Sequence, residues 1–586
     1  MRTVFPNAKA VGAFGILMFM AVMVVMALYG INYSTRKSFS VVRDIRKRDQ
    51  IERQIMSRSR PKNVSIGTSW VTERAKGDEK QNDGKILDFE DTEDRLSSKS
   101  VKSDRKSDDV TEEKAVVNVP ESPIEAEEDA RRREKVVEMI RHSWDNYRNI
   151  SWGYNELKPL SKKSHSHPIF GGEKMMATIA DGTDTLWIAG LKDSYNEARD
   201  YIRDHFDIRN AKGTVSVFEV TIRHLAGFLS LYALTKENLY IEKAKNVADA
   251  LLVAFDTPTG VPKGLVNVAS GTASNYAWAG GGASILSELG SLHLEFSYLS
   301  EITGDSKYSR KVQKVRDVLD GMEKKDGLYY NYISPETAQF RSEHVSLGAM
   351  GDSFYEILLK AWLQTARTDK QAYKMYKEAS EAVRKHLLLK SPKDGLTYLA
   401  EMRNGELEHK MSHLACFTPG MFALEAAYEL DPTRKAIVMN VAEDLASTCH
   451  ESYIRSETRI GPEMFYFMEG REATSDSEVG YILRPEAIEG WFYLWRITRN
   501  KKYKDWVWDA ISAIDKYCRV ATGFVGLKNV YNPSAGYDDV QQSFFLAETL
   551  KYAYLTFTDD VLPLDKWVFN TEAHPIPIMP TNTSSL

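Results

Sequence analysis

The sequence is poor in cysteine and has no large excess of either charge. Only three cysteines occur among 586 residues, Cys416, Cys449 and Cys518, which excludes a dense disulfide scaffold. They leave open three buried thiols, or one bridge with one free thiol. The formal net charge is −5, which gives no electrostatic signal for nucleic acid, so we expect no nucleic-acid partner.

Aromatic residues are almost absent from residues 34–138, which are instead rich in Ser, Lys, Arg, Asp and Glu. Such a stretch cannot bury enough apolar surface to offset the entropy of ordering it. We therefore predict a disordered stem over residues 34–138.

Charged residues are missing from residues 10–33, a mostly apolar run long enough to cross a bilayer as a helix. The run is longer than the apolar part of a signal peptide, so we predict an uncleaved signal anchor behind a cytoplasmic tail of residues 1–9. Basic residues are more frequent after the run than before it. By charge alone this distribution favours a cytosolic C-terminal part.

Strand-like alternation is scarce after about residue 137, where helical periodicity dominates. An apolar helix ending near a Thr, with a Tyr five residues later, recurs at Thr235, Thr303, Thr368 and Thr498. A more amphipathic helix follows each Tyr. This alternation predicts an all-α fold with an inner and an outer layer, either a solenoid or a closed α/α toroid.

Charged residues recur near the starts of the apolar helices, as at Glu219, Arg223, Asp352, Glu356 and Glu486. One such carboxylate is more often a helix cap than a catalyst, because it complements the helix dipole. Several in register would point at a common axis. Glycosidic bond cleavage uses one carboxylic acid and one carboxylate, and these groups fit that chemistry.

The chain resembles the class I α-1,2-mannosidases of glycoside hydrolase family 47. The matching strings lie in order over residues 139–578 and include "FEVTIRHLAGFLSLY", "GDSFYEILLKAWL", "YILRPEAIEGWFYLWR" and "WVFNTEAHPIPI". The resemblance implies an (α/α)7 toroid as a catalytic domain of residues 139–586. It also implies Ca2+-dependent hydrolysis, with inversion, of terminal α-1,2-linked mannose from high-mannose N-glycans on glycoproteins.

The resemblance also assigns residues. The catalytic carboxylates would be Glu219 as general acid, Glu486 as base and Asp352, although sequence does not decide whether Glu219 or Asp352 delivers the proton. The other implied positions are the sugar contacts Arg223, Glu288, His413 and Phe544, the Ca2+ ligand Thr571, the surrounding carboxylates Glu489, Glu548 and Glu572, and a disulfide between Cys416 and Cys449.

Met350 stands where endoplasmic-reticulum members of the family carry an Arg that grips one glycan branch. Arg and Met differ in charge and in hydrogen-bond donors. The resemblance therefore implies a Golgi-type enzyme that trims several branches, held in the Golgi membrane as a single-pass type II protein with a lumenal domain. Two alternatives remain: a mannose-recognising quality-control relative with little hydrolysis, and a helical scaffold without a glycan role.

Overall fold

The structure, a computed structural model, describes residues 123–580. These residues belong to one contact-defined unit, Lys114–Leu586. The predicted tail, the predicted membrane span and most of the predicted stem lie outside the described residues.

Helices dominate the described part of the chain. In chain order they are α1 (Pro123–Ser151), α2 (Ala177–Ile188), α3 (Lys192–His205), α4 (Val217–Thr235), α5 (Asn238–Leu251), α6 (His293–Thr303), α7 (Lys307–Gly321), α8 (Asp352–Gln364), α9 (Lys370–His386), α10 (Thr418–Tyr428), α11 (Pro432–Ile454), α12 (Glu486–Thr498), α13 (Lys501–Tyr517) and α14 (Phe545–Thr549 continued by Leu550–Thr556). Short helical turns lie at Leu286–Gly290 and His413–Phe417.

Neighbouring helices pack as seven pairs within residues 123–580: α2 with α3, α4 with α5, α6 with α7, α8 with α9, α10 with α11, α12 with α13, and α14 with α1. The first member of each pair also contacts the first member of the next pair, and α14 returns to α2. The inner helices therefore form a closed ring, which agrees with the predicted inner and outer layers.

The two layers differ as the sequence pattern predicts. Twelve of the thirteen residues of α8 are buried, whereas its partner α9 buries only one face. A helix that is buried all round must be apolar over most of its surface, while a helix covering it keeps a polar face. For the same reason α4 is long and apolar enough to cross a membrane by composition, but most of it is buried in the ring.

The first helix corrects one predicted boundary. Helix α1 begins at Pro123, inside the interval 34–138 that composition assigned to a disordered stem. Its early turns are polar, but they are tied to α13: Arg132 donates to Asp505 at 3.0 Å, and Asp129 pairs with Lys504. Tertiary ion pairs hold this segment, and a composition argument does not detect them.

Within residues 123–580 the strands are short and pair only in antiparallel ladders. They are β1 (Glu156–Lys158), β2 (Lys163–His165), β3 (Thr214–Ser216), β4 (Leu265–Asn267), β5 (Thr272–Ser274), β6 (Ser284–Ile285), β7 (Tyr332–Ile333), β8 (His344–Val345), β9 (Leu388–Lys390), β10 (Thr397–Leu399), β11 (Glu401–Arg403), β12 (Glu406–Glu408), β13 (Lys410–Ser412), β14 (Met464–Tyr466), β15 (Arg519–Val520), β16 (Gly523–Phe524), β17 (Gly526–Leu527), β18 (Tyr537–Asp538), β19 (Trp567–Phe569) and β20 (Pro575–Pro577).

The last hairpin, β19 and β20, enters the ring. Strand β20 contacts α4 and α6, and β19 contacts α8. Four of the five residues of its tip, 570–574, are buried, and Thr571 is partly exposed. The hairpin therefore fills the axis of the ring and carries polar groups into it.

Candidate active site

Carboxylates gather where inner helices begin, as the sequence predicts. Helix α8 starts at Asp352, α12 starts at Glu486, and Glu219 lies in the first turn of α4. Two π-helical segments interrupt this end of the ring, and they carry Arg223 and Glu548. Such segments often occur at functional sites, because they re-aim side chains without ending the helix.

Arg223 is the cation at the centre of one group of acids. Its guanidinium lies 2.9 Å from Glu219 and 3.1 Å from Asp181, and it also pairs with Glu572 at the hairpin tip. Asp181 is fully buried, and Arg223 and His574 hold its pKa at about 2 against the effect of burial. The predicted sugar contact Arg223 therefore also fixes Glu219 in place.

Glu486 is held in its ionised form. Burial opposes ionisation, but the hydrogen bond and charge of His413, followed by the charge of Arg484, keep its pKa below the ordinary value. Nδ1 of His413 lies 2.7 Å from Oε2 of Glu486, and Nε2 of the same ring lies 2.8 Å from the Tyr453 hydroxyl. An ionised, oriented carboxylate is what a general base requires.

The surroundings of Asp352 shift its pKa in the opposite direction, upward. Burial raises its pKa to about 7, and the charges of Glu356 and Glu486 add to the rise, despite a 2.7 Å hydrogen bond from the Ser353 backbone N–H. A carboxyl group with this pKa carries a proton for much of the time near neutral pH. The site thus combines an ionised carboxylate with a carboxyl group that retains a proton.

Buried ion pairs join the hairpin tip to α2 and α14. The sequence did not predict these pairs. The Asp184 carboxylate lies 2.8 Å from Nδ1 of His574 and 2.9 Å from Nζ of Lys551, which also donates to the Ala573 carbonyl at 2.8 Å. All three side chains are buried. The sequence feature that could have indicated these pairs is the single Lys in the mostly apolar string "SFFLAETLKY", because a buried lysine needs an acid as partner.

The buried acids grouped with Glu572 at the hairpin tip fit a hard cation. Glu489, Glu548 and Glu572 are buried, and burial raises the pKa of each; Glu356 adds to the rise at Glu489, and Glu572 adds to it at Glu548. Carboxylates that repel one another in this way would be stabilised by a divalent ion. The donors are all oxygens, as Ca2+ requires. Thr571, on the tip beside Glu572, offers a hydroxyl and a carbonyl.

The remaining predicted sugar contacts lie on other segments. Glu288 is in the short turn Leu286–Gly290, where burial and the charge of Glu219 raise its pKa to about 8. Phe544 directly precedes α14 and is partly exposed. Met350 lies two residues before Asp352 with φ of 76°, and its carbonyl accepts from the Ser287 N–H at 3.0 Å.

The predicted disulfide is confirmed. Cys416 and Cys449 are bonded, with their Cα atoms 6.0 Å apart, while Cys518 is a buried free thiol. The bond joins the turn His413–Phe417 to α11. It therefore braces the segment that carries His413.

A ring of helices that places an ionised carboxylate and a carboxyl group of raised pKa beside polar groups able to bind hydroxyls has the groups that a glycoside hydrolase uses. Comparison of the sequence with known protein families identifies the family of glycoside hydrolases. Residues 139–578 match the sequence model of Glycosyl hydrolase family 47, and the chain belongs to that family.

Relatives and a solved structure agree with this placement. The chain is 61% identical over 455 residues to "Mannosyl-oligosaccharide 1,2-alpha-mannosidase mans-2" of Caenorhabditis elegans, covering 77% of each chain. It is 51% identical over 454 residues to the human "Mannosyl-oligosaccharide 1,2-alpha-mannosidase IB", covering 76% of this chain and 70% of that one. The structure of the α-1,2-mannosidase from Trichoderma reesei superposes with a TM-score of 0.70 at 28% identity, covering 77% of this chain and 99% of that one.

Proposed function

We propose that this protein hydrolyses terminal α-1,2-linked mannose from high-mannose N-glycans with inversion of the anomeric carbon. The observation that carries the proposal is a pair of carboxyl groups with opposite pKa shifts, Glu486 with a lowered pKa at the start of α12 and Asp352 with a pKa of about 7 at the start of α8. The names of the relatives supply the sugar and the linkage.

Glu486 acts as general base. Its carboxylate removes a proton from the attacking water, and His413 and Arg484 keep it ionised before the reaction begins. His413 also orients the carboxylate, because its ring is held from the other side by Tyr453. An inverting reaction needs room for this water between base and acid, which separates the two groups by about 6.5–9.5 Å in such enzymes.

The leaving oxygen receives its proton from Asp352 or Glu219. The structure gives Asp352 the raised pKa that a donor needs. Glu219 instead forms an ion pair with the Arg223 guanidinium at 2.9 Å. We therefore assign proton delivery to Asp352 and assign Glu219, with Arg223, to binding the sugar and any water that relays the proton.

Thr571 would hold Ca2+ through its oxygens, with Glu489, Glu548 and Glu572 accepting hydrogen bonds from the surrounding waters. When bound, Ca2+ supplies a positive charge that polarises hydroxyl groups and water in contact with it. Lys551, Asp184 and His574 fix the depth of the hairpin tip that carries Thr571 and Glu572.

The proposal extends to the location of the enzyme and to its branch preference. The chain is a type II Golgi membrane protein, anchored by residues 10–33 and carrying its catalytic domain in the lumen. A lumenal domain agrees with the Cys416–Cys449 bond, since disulfides persist in oxidising compartments. Met350 in place of a guanidinium leaves the enzyme able to accept several glycan branches.

The test follows mannose release from a nine-mannose N-glycan in the presence of Ca2+. Wild type should shorten the glycan in steps, and proton NMR should show β-mannose as the first product, as inversion requires. Glu486→Gln keeps shape but cannot accept a proton, so it should fold and bind yet lose most turnover. Near-normal release by Glu486→Gln, or an α-anomeric first product, would contradict the proposal.

A further inference from the structure

A second cluster of metal-binding side chains lies on the first hairpin, outside the residues assigned above. Strands β1 and β2 pair so that Glu156 faces His165, and His167 follows two residues later. The Nε2 atoms of the two histidines are 3.3 Å apart, and each lies 3.9 Å from Oε2 of Glu156. Three ligand atoms from three side chains therefore converge on one point.

The acid in this cluster is incompletely satisfied. Glu156 is buried, with 3% of its side chain exposed, and its Oε1 accepts from the Ser543 backbone N–H at 3.1 Å. Its Oε2, which faces the histidines, has no hydrogen-bond partner among residues 123–580. A buried carboxylate oxygen without a partner is costly, so this position favours a cation.

The spacing matches a particular coordination. Bonds of about 2.0–2.1 Å from Zn2+ to nitrogen in a tetrahedral site place two ligand nitrogens about 3.3–3.4 Å apart. The observed separation of the two Nε2 atoms is 3.3 Å. Glu156 needs to approach by only about half an ångström to complete the face of a tetrahedron with the same bond lengths.

A neighbouring side chain fixes the turn that carries the two histidines. Asn155 holds the turn between them by donating to the Ser166 hydroxyl at 2.7 Å.

We propose that Glu156, His165 and His167 form a site for Zn2+ or a similar borderline transition-metal ion. Imidazole nitrogens select such ions, whereas Ca2+ takes oxygen ligands. The site shares no ligand with the set around Thr571. It opens on a surface cleft of about 280 Å³ lined by His165, Ser166 and His167, so one coordination position remains for water or another ligand.

The test uses the full chain with Ca2+ at saturation and measures binding of Zn2+ by calorimetry. Co2+ serves as a second probe, because its visible absorption reports tetrahedral nitrogen and oxygen ligands. Wild type should bind one Zn2+ ion that excess Ca2+ does not displace. His167→Gln and Glu156→Gln should each weaken binding by more than about tenfold, a loss that even outer partners of metal ligands can produce.

His205→Gln is the matched control, because this histidine is exposed at the end of α3. It should bind Zn2+ as wild type does. Anomalous diffraction at the zinc edge should then place the ion against the three side chains. Binding that survives both His167→Gln and Glu156→Gln, binding that Ca2+ displaces, or no stoichiometric binding by wild type would overturn the proposal. None of these readouts depends on glycosidase activity.

Discussion

The Nδ1 atom of His413 lies 2.7 Å from Oε2 of Glu486. The histidine comes from a turn before α10, and the glutamate is the first residue of α12. Their hydrogen bond and the histidine charge are the largest of the effects that keep Glu486 ionised against burial. The protonation state of the proposed base thus depends on a residue far away in the sequence.

His413→Gln should therefore move the acidic limb of the pH–rate profile. Removing the pairing raises the pKa of Glu486, and activity that requires the carboxylate is then lost at a higher pH as the solution is acidified. A hydrogen bond to a charged group contributes about 1.5–3 kcal/mol, which corresponds to a shift of about 1–2 pH units. Tyr453→Phe, which leaves the bond to Glu486 in place, should shift the limb less. An unchanged acidic limb in His413→Gln would disprove this dependence.

The residue that delivers the proton can be identified with two substrates. Fluoride leaves without protonation, so a variant lacking only the acid should hydrolyse α-mannosyl fluoride while failing on an α-1,2-linked mannobiose. Asp352→Asn should behave this way. Because Asp352 is protonated below its pKa of about 7, wild-type cleavage of mannobiose should fall as pH rises through about 7.

The control in this experiment is Glu486→Gln, which lacks the base and should lose both reactions. Glu219→Gln decides between the two candidates for the acid. If Glu219→Gln, rather than Asp352→Asn, spares the fluoride alone, then Glu219 is the donor, as the family resemblance implies.

One repeated threonine shows how much of the fold could be predicted from the sequence. Thr235, Thr303 and Thr498 each end an inner helix, and each hydroxyl donates to the carbonyl four residues earlier at 2.6–2.7 Å. The repeat was visible because this local bond recurs at these three ends. Thr368 differs, because α8 ends at Gln364 and a short loop carries this threonine.

The contacts between distant segments were not visible. Asp184, Lys551 and His574 meet only after the ring closes and the hairpin enters it. Each residue alone resembles an ordinary polar position, and no spacing rule links it to the others. The positions of the proposed catalytic carboxylates were predictable because each lies at the start of an inner helix, whereas the residues that set their pKa values were not.

Thr571→Ala should weaken Ca2+ binding and abolish most activity. A ligand that binds only the folded protein stabilises it by about 2.7 kcal/mol at one hundred times its dissociation constant. Wild type should therefore gain thermal stability from Ca2+, and Thr571→Ala should gain much less. Thr368→Ala, which removes an exposed hydroxyl, is the control. Wild-type Ca2+ affinity in Thr571→Ala would disprove the assignment.

Breaking the disulfide should cost stability. Cys416 and Cys449 are 33 residues apart, and closing a loop of this length contributes about 3–4 kcal/mol in the chain-entropy description. Cys416→Ala should lower the free energy of unfolding in urea by that order and reduce kcat, because Cys416 lies in the turn that carries His413. Cys518→Ala, a buried thiol outside the bond, measures the cost of the smaller side chain alone. Equal losses in the two variants would show that the bond itself adds little.

Met350→Arg should change the order in which branches are trimmed. Met350 sits two residues before Asp352, with its backbone fixed by the bond from the Ser287 N–H to its carbonyl and its sulfur against the Tyr332 hydroxyl. A guanidinium introduced here brings several fixed donors to the rim of the site, where it can hold one branch in one pose. The thioether has no such donors and adapts to different branches.

Wild type should carry a nine-mannose glycan to about five mannoses without a lasting intermediate, whereas Met350→Arg should accumulate one. A difference of about 1.5–3 kcal/mol, the scale of one hydrogen bond to a charged group, slows the disfavoured branches by about 10-fold to 150-fold. Met350→Leu keeps an apolar side chain without donors and should leave the product series unchanged. Because Arg and Leu both carry a Cβ and would occupy the same left-handed position, backbone strain acts on both variants and does not explain a difference between them. Identical time courses for the Arg and Leu variants would remove the basis for assigning branch tolerance to this residue.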